Sequence, residues 1–234
     1  MEAERTPEQV EEKSARKTPK TFTKFQSILL LLLTLVVTSG AGYTLGHFYF
    51  WNDLDMKRVN EQLDYYKEKV RLDPANLENR IVLGYTYFLK GQNEKAIREF
   101  DYVIEQDDNY YDAYYNLGLV FLDEKRYNEA LSAFDKTIQI APKDFKGHVQ
   151  LGITYRQLDM YEEATETLSK ANELNPANSD IIYQIGLVAE DQGEYQTAID
   201  IYKEALQYDP LYEDAVVALD RLEKFDTVAE GEGE

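Results

Sequence analysis

Four glycines, Gly84, Gly118, Gly152 and Gly186, stand 34 residues apart. The same interval separates Ala96, Ala130, Ala164 and Ala198, and again Pro142, Pro176 and Pro210. Pro74 falls on the proline lattice, and Asp108 takes the one step where proline is missing. Each glycine follows Leu83, Leu117, Leu151 or Ile185, and three positions later come Tyr87, Phe121, Tyr155 and Ala189. Four positions after each alanine stand Phe100, Phe134, Leu168 and Tyr202. The chain holds only 12 glycines, so four in register with matching neighbours mark an internal repeat. A period of this length belongs to a row of supersecondary units, none of which can bury its apolar face alone.

Inside each unit an apolar pattern of helical period is followed by a short polar break and a second such pattern. Lys90-Gly91-Gln92-Asn93 and Asp191-Gln192-Gly193-Glu194 are two of the breaks. Connections this short join antiparallel helices. A glycine inside a helix costs about 1 kcal/mol relative to alanine, so its recurrence needs a packing reason. The expected one is that the glycine lets the second helix press its alanine against the first. Asp73-Pro74, Asn175-Pro176 and Asp209-Pro210 end the second helix and reset the chain for the next unit.

These positions resemble the tetratricopeptide repeat (TPR), with its W-x2-L-G-x2-Y, A-x3-F and P over 34 residues. Arg80, Leu83, Gly84, Tyr87, Ala96 and Phe100 match in the first unit, and Tyr114, Leu117, Gly118, Phe121, Ala130, Phe134 and Pro142 in the second. His148, Leu151, Gly152, Tyr155, Ala164, Leu168 and Pro176 match in the third, and Ile182, Ile185, Gly186, Ala189, Ala198, Tyr202 and Pro210 in the fourth. Tryptophan never fills its signature position. The resemblance implies an all-α fold, a TPR-type solenoid of antiparallel helix pairs, with repeats at 77–110, 111–144, 145–178 and 179–212. Gln62 to Glu68 aligns with Ala198 to Glu204, so residues 52–76 read as a lone second helix before the first full repeat. Residues 213–225 read as a capping helix, where Asp220 takes the glycine position, and 226–234 as an acidic disordered tail.

The resemblance also places the first helix of each repeat along a concave face, the usual binding surface of such a stack. Read by position, the expected groove comprises Ile81, Tyr85 and Phe88; Tyr115, Asn116 and Leu119; Val149, Gln150 and Ile153; Tyr183, Gln184 and Leu187. An aromatic and apolar lining with amides suits an amphipathic helix or an extended peptide. Some family members hold a terminal carboxylate with paired Lys, Arg and Asn. The matching positions here are Ile81, Tyr85, Asn116, Lys146 and Gln150, of which only Asn116 and Lys146 agree. Tyr127, Tyr161 and Tyr195 recur at the turn between helices and read as structural.

Ahead of the repeats, no charged residue occurs between Lys24 and Asp53. The apolar run 25–51 has the length of a bilayer-spanning helix, about 20 residues, and ends in His47-Phe48-Tyr49-Phe50-Trp51, an aromatic belt. A single transmembrane anchor is therefore expected, with lipid contact through 25–51. The alternative is a signal peptide cleaved near Ser39-Gly40-Ala41, but apolar residues continue well beyond that point. Lys13, Arg16, Lys17, Lys20 and Lys24 precede the run, against Lys57 and Arg58 after it. This bias places a disordered tail, 1–24, in the cytoplasm and the repeats on the exported side. Gly42 and Gly46 form a Gly-x-x-x-Gly pair that fits a homodimer contact between membrane helices, or a chance pair of common residues.

Composition narrows the chemistry. Asp+Glu number 44 against Lys+Arg 25, a formal net charge of -19. No nucleic-acid partner is expected, since phosphate recognition needs a positive surface. The chain has no cysteine and only two histidines, His47 and His148. No catalytic residues, metal site or cofactor are expected. Glu105, Asp107 and Asp108 lack the alternation and glycine of a calcium loop and read as a solvated turn. The expected function is thus a non-enzymatic, membrane-anchored scaffold that binds a protein or peptide, exported across a bacterial inner membrane and serving assembly, secretion or envelope maturation. A cytosol-facing receptor for targeting or import, and an accessory subunit of an enzyme complex, are the alternatives.

Overall fold

A computed structural model describes residues 52–231, with side chains for 56–222. By its contacts the chain divides into Met1–Lys57 and Arg58–Glu234. The expected tail 1–24, the anchor 25–51 and the Gly42/Gly46 pair lie outside the described residues. Among the described residues no helix is long and apolar enough to cross a membrane.

Ten helices and no strand occur among the described residues. They are α1 (Asn52–Leu72), α2 (Leu77–Leu89), α3 (Asn93–Gln106), α4 (Tyr111–Asp123), α5 (Tyr127–Ile140), α6 (Phe145–Gln157), α7 (Tyr161–Leu174), α8 (Ser179–Asp191), α9 (Tyr195–Tyr208) and α10 (Glu213–Gly231). Helices α2 to α9 form the four expected pairs. From α2 onward each helix packs on the next, and the first helices α2, α4, α6 and α8 also approach one another in succession. No two second helices come together to that extent among the described residues. First helices crowded together put the inside of the curve on their side of the stack.

Local chemistry sets the boundaries. Asn76 caps α2 by accepting from the Asn79 N–H at 2.9 Å, Asp144 caps α6 through the Lys146 N–H at 3.0 Å, and Asn178 caps α8 through Asp180 and Ile181. Such caps satisfy amides that the first helical turn leaves open. The turn inside each pair needs one left-handed residue. Gly91 (φ 66°) and Gly193 (φ 79°) supply it in the first and fourth units, and Lys125 and Asp159 (both φ 58°) in the second and third.

The recurring glycine faces a different neighbour from the one expected. A Cβ built on Gly84, Gly118 or Gly152 would lie 2.6, 2.5 or 2.6 Å from the side chain of Phe100, Phe134 or Leu168, and one on Gly186 would strike the Tyr202 ring. The residue four positions beyond the alanine, rather than the alanine, occupies the space. Phe100, Phe134, Leu168 and Tyr202 are fully buried there, as are Ala96, Ala130, Ala164 and Ala198. Core residues bridge units. Ile81, Ala96, Phe100 and Val103 of the first pack with Ala113, Leu117 and Val120 of the second.

The ends follow the alignment with one correction. Leu63 of α1 is buried, like its counterpart Ile199 in α9. At the other end α10 packs Ala215, Ala218 and Leu222 against α9. This helix runs to Gly231, so residues 226–231 are helical and not part of a disordered tail. Between Glu213 and Gly231 there is neither proline nor glycine to stop it.

Candidate functional site

Each first helix presents one face inward, repeating at intervals of three to four residues. On α4 that face carries Asp112, Tyr115, Asn116 and Leu119; on α8 it carries Asp180, Tyr183, Gln184 and Leu187. Tyr115 and Tyr183 are half-buried. Each leans on the ring that fills its own unit's glycine space. Tyr115 meets Phe134 edge-on at 6.1 Å between centroids, and Tyr183 lies 5.4 Å from Tyr202. Tyr111 stacks on Tyr115 at 5.8 Å, and Tyr212 meets Tyr183 edge-on at 5.5 Å. These are favourable offset or edge geometries, and they leave one side of each tyrosine toward the groove.

The equivalent position in the first and third units holds Ile81 and Val149. Both are buried in the helix packing, at 9% and 4% exposure, so these two expected groove residues support the wall instead of forming its surface. A shorter aliphatic chain ends within the core where a tyrosine reaches past it. Half-buried rings therefore alternate with buried aliphatic side chains along the face. One turn on, Tyr85 is 39% exposed, and Leu119, Ile153 and Leu187 are half-buried. Phe88 is half-buried and lies 6.3 Å from the Tyr85 ring. Gln150 and Gln184 are half-buried on the same face. Asn116 donates its amide N–H to the Asp112 carbonyl at 2.7 Å, so that amide is engaged within its own helix.

Position-by-position reading missed the far edge of the face. In the first unit it is apolar, with Phe88 half-buried and Leu89 exposed, and in the second it pairs the half-buried Leu122 with the exposed Asp123. In the last two it is charged. Arg156 pairs with Asp191 at 2.8 Å. Arg221 of α10 holds both oxygens of Glu190, at 2.6 and 2.7 Å, and Tyr202 donates its hydroxyl to the same carboxylate at 2.7 Å. The signal was present at residues 156, 190 and 191, one turn beyond Ile153 and Leu187, where polar types replace apolar ones.

Electrostatics follows from burial and the nearby acids. Burial first, then the Asp144 carboxylate, raises the Tyr115 hydroxyl above its ordinary pKa. Burial raises Tyr183, with Asp214 adding to it. Lys146 is exposed, as expected of a solvated lysine. His148 is half-buried, its Nε2 3.1 Å from the Pro142 carbonyl oxygen. Asp107 and Asp108 accept from Asn109 within an exposed turn. Among the described residues no group of three or more histidine or acidic side chains is placed to hold a metal ion.

Models of the tetratricopeptide repeat match residues 111–144, 145–178 and 179–210, and a TPR repeat model matches 84–124. The chain belongs to the tetratricopeptide-repeat family. The boundaries 111–144, 145–178 and 179–210 coincide with helix pairs, and together the matches run from the first unit's glycine to the last proline. Solved TPR structures share the arrangement. MamA (residues 41 to the end) from Desulfovibrio magneticus RS-1 is 24% identical, with a TM-score of 0.61, over 68% of this chain and 90% of that one. YrrB, described as a TPR protein with an unusual peptide-binding site, is 20% identical, with a TM-score of 0.58, over 70% and 84%. A thermophilic TPR protein of Thermus thermophilus is 19% identical, with a TM-score of 0.62, over 73% and 93%. At these identities the likeness establishes the fold. No curated protein matches the chain.

Proposed function

We propose that the chain is a membrane-anchored TPR scaffold that captures a protein or peptide in the groove formed by its first helices. The observation that carries this reading is the inward row of partly exposed apolar side chains, Tyr85, Tyr115, Leu119, Ile153, Tyr183 and Leu187, on a face where a folded core would leave none. Rigid tyrosines with one free side are good anchors because little rotamer freedom is lost on binding. The peptide-binding site named for YrrB, a protein of the same fold, supports it. The role is that of a holder, not an enzyme.

The apolar run 25–51 supports anchoring, and the basic residues before it support an exported repeat domain at a bacterial inner membrane. Topology mapping with reporters at residue 234 tests the compartment. An exported reporter is expected, and a cytoplasmic one would instead favour the receptor for targeting or import.

Replacing Tyr115 and Tyr183 together by Ala tests the groove. Crosslinked pull-down of the partner from native membranes should fall at least tenfold while helicity by circular dichroism is retained. Undiminished capture by a folded variant would move the site elsewhere.

A further inference from the structure

The second residue of each first helix is acidic in all but one unit. Glu78, Asp112 and Asp180 hold it in the first, second and fourth units, and Asp214 in α10. The third unit has Lys146 there, and its acid moves to the N-cap, Asp144. A residue at this position shares a helix face with those three and seven further on, so Asp112 lines up with Tyr115 and Leu119, and Asp180 with Tyr183 and Leu187. A row of carboxylates thus borders the row of rings. Glu78, Asp112 and Asp214 have no ion-pair partner among the described residues. Among the described residues Asp180 accepts from the neutral Tyr212 hydroxyl, at 3.0 Å, and has no ion-pair partner.

The groove's cations do not offset this row. Arg156 is held by Asp191 and Arg221 by Glu190. Lys146 is left as the groove cation without an ion-pair partner among the described residues. The surrounding chain carries a net charge of -19.

Resting on the groove reading above, we propose that the occupant is a cationic segment of a partner protein, one in which Lys or Arg alternate with apolar residues. The apolar residues would pack on the half-buried Leu119, Ile153 and Leu187. The cations would stand against tyrosine faces with a carboxylate beside them. The molecule already uses that arrangement internally. The Arg80 guanidinium lies 3.6 Å over the Tyr102 ring while pairing with Glu99 at 2.7 Å. Arg126 lies 4.4 Å over Phe121 beside Glu124 and Glu129. A cation between a ring and a carboxylate gains from both, whereas an acidic segment would meet like charge at the first, second and fourth units and at α10. First-turn acids also favour the helix dipole, so the test must read affinity and helicity together.

The full chain in nanodiscs of zwitterionic lipid is titrated against a fluorescein-labelled amphipathic peptide of Leu and Lys, and against its counterpart with Glu for every Lys. Polarisation over empty nanodiscs is the baseline. The Lys peptide is expected to bind saturably and more weakly as salt is raised, and the Glu peptide not to bind. The variant Asp112→Asn, Asp180→Asn, Asp214→Asn should lose about tenfold in affinity for the Lys peptide at unchanged helicity. Equal binding of the two peptides, binding of neither, or an unaltered affinity in the variant overturns the cationic assignment. Such a result leaves the scaffold reading standing wherever Tyr115 and Tyr183 still govern capture of the native partner. Loss of that dependence overturns the reading underneath.

Discussion

A methyl group placed on Gly118 would sit 2.5 Å from Cε1 of Phe134, and 2.7 and 2.8 Å from two further ring carbons. The ring is fully buried and cannot swing aside. Gly118→Ala should therefore lower stability by about 2 kcal/mol, the usual scale of overpacking. In a Phe134→Ala background the obstacle is gone, and the same change should stabilise by up to about 1 kcal/mol through helix propensity. Urea denaturation of the four proteins closes this cycle, and a penalty persisting without the ring would contradict it.

The left-handed turn residues give a second test. Gly91 and Gly193 adopt positive φ with nothing within 4 Å of an added Cβ, so only backbone strain opposes a side chain there. Lys125 adopts the same conformation at φ 58°. Lys125→Gly should raise the unfolding free energy by about 1 kcal/mol, and Gly193→Ala should lower it by a similar amount. Opposite signs in thermal or urea unfolding confirm the pair, and a loss in both would refute it.

Arg80 occupies the position where the repeat signature has tryptophan. It pairs with Glu99, donates its Nε–H to the Pro74 carbonyl at 2.8 Å and covers Tyr102. With both partners largely buried, Arg80→Ala should cost about 2 kcal/mol. Arg80→Lys should recover only part of this, because an ammonium lacks the planar fork. Full recovery with lysine in denaturant melts would mean that charge alone matters.

Alkaline pH should unfold the domain. Burial holds the hydroxyls of Tyr111, Tyr202 and Tyr212 well above their usual pKa near 10; beyond burial, a hydrogen bond to Glu190 raises Tyr202 and the charge of Asp180 raises Tyr212. Above pH 10 the unfolded chain loses these protons while the folded chain keeps them, so stability is intact below the unfolded value and falls as pH rises. Unfolding free energies between pH 8 and about 11 should show this decline, with a shallower slope for Tyr202→Phe. An identical slope would remove Tyr202 from the account.

The lattice made the helix pairs legible because the constraint behind it is local. A glycine, the bulky residue filling its space and a proline at the exit must recur in every unit that packs the same way. What the lattice hid was depth. Position alone treats Ile81, Tyr115, Val149 and Tyr183 as equivalent, but their lengths decide which end inside the core and which reach the groove. The Arg156–Asp191 and Arg221–Glu190 braces were equally hidden, since each joins side chains more than thirty residues apart. Residues 226–231 were misread from composition, where acidity stood for disorder although no proline or glycine precedes Gly231 in the helix.

The central claim is that the inner face of the first helices is where a partner sits. Photoreactive residues placed singly at Tyr85, Leu119 and Leu187, and at Ser132 and Lys203 on the second helices, in the full chain within its native membrane, test it most directly. The account predicts crosslinks to one partner from the first three sites and none from the last two. Crosslinks confined to Ser132 and Lys203 would contradict it.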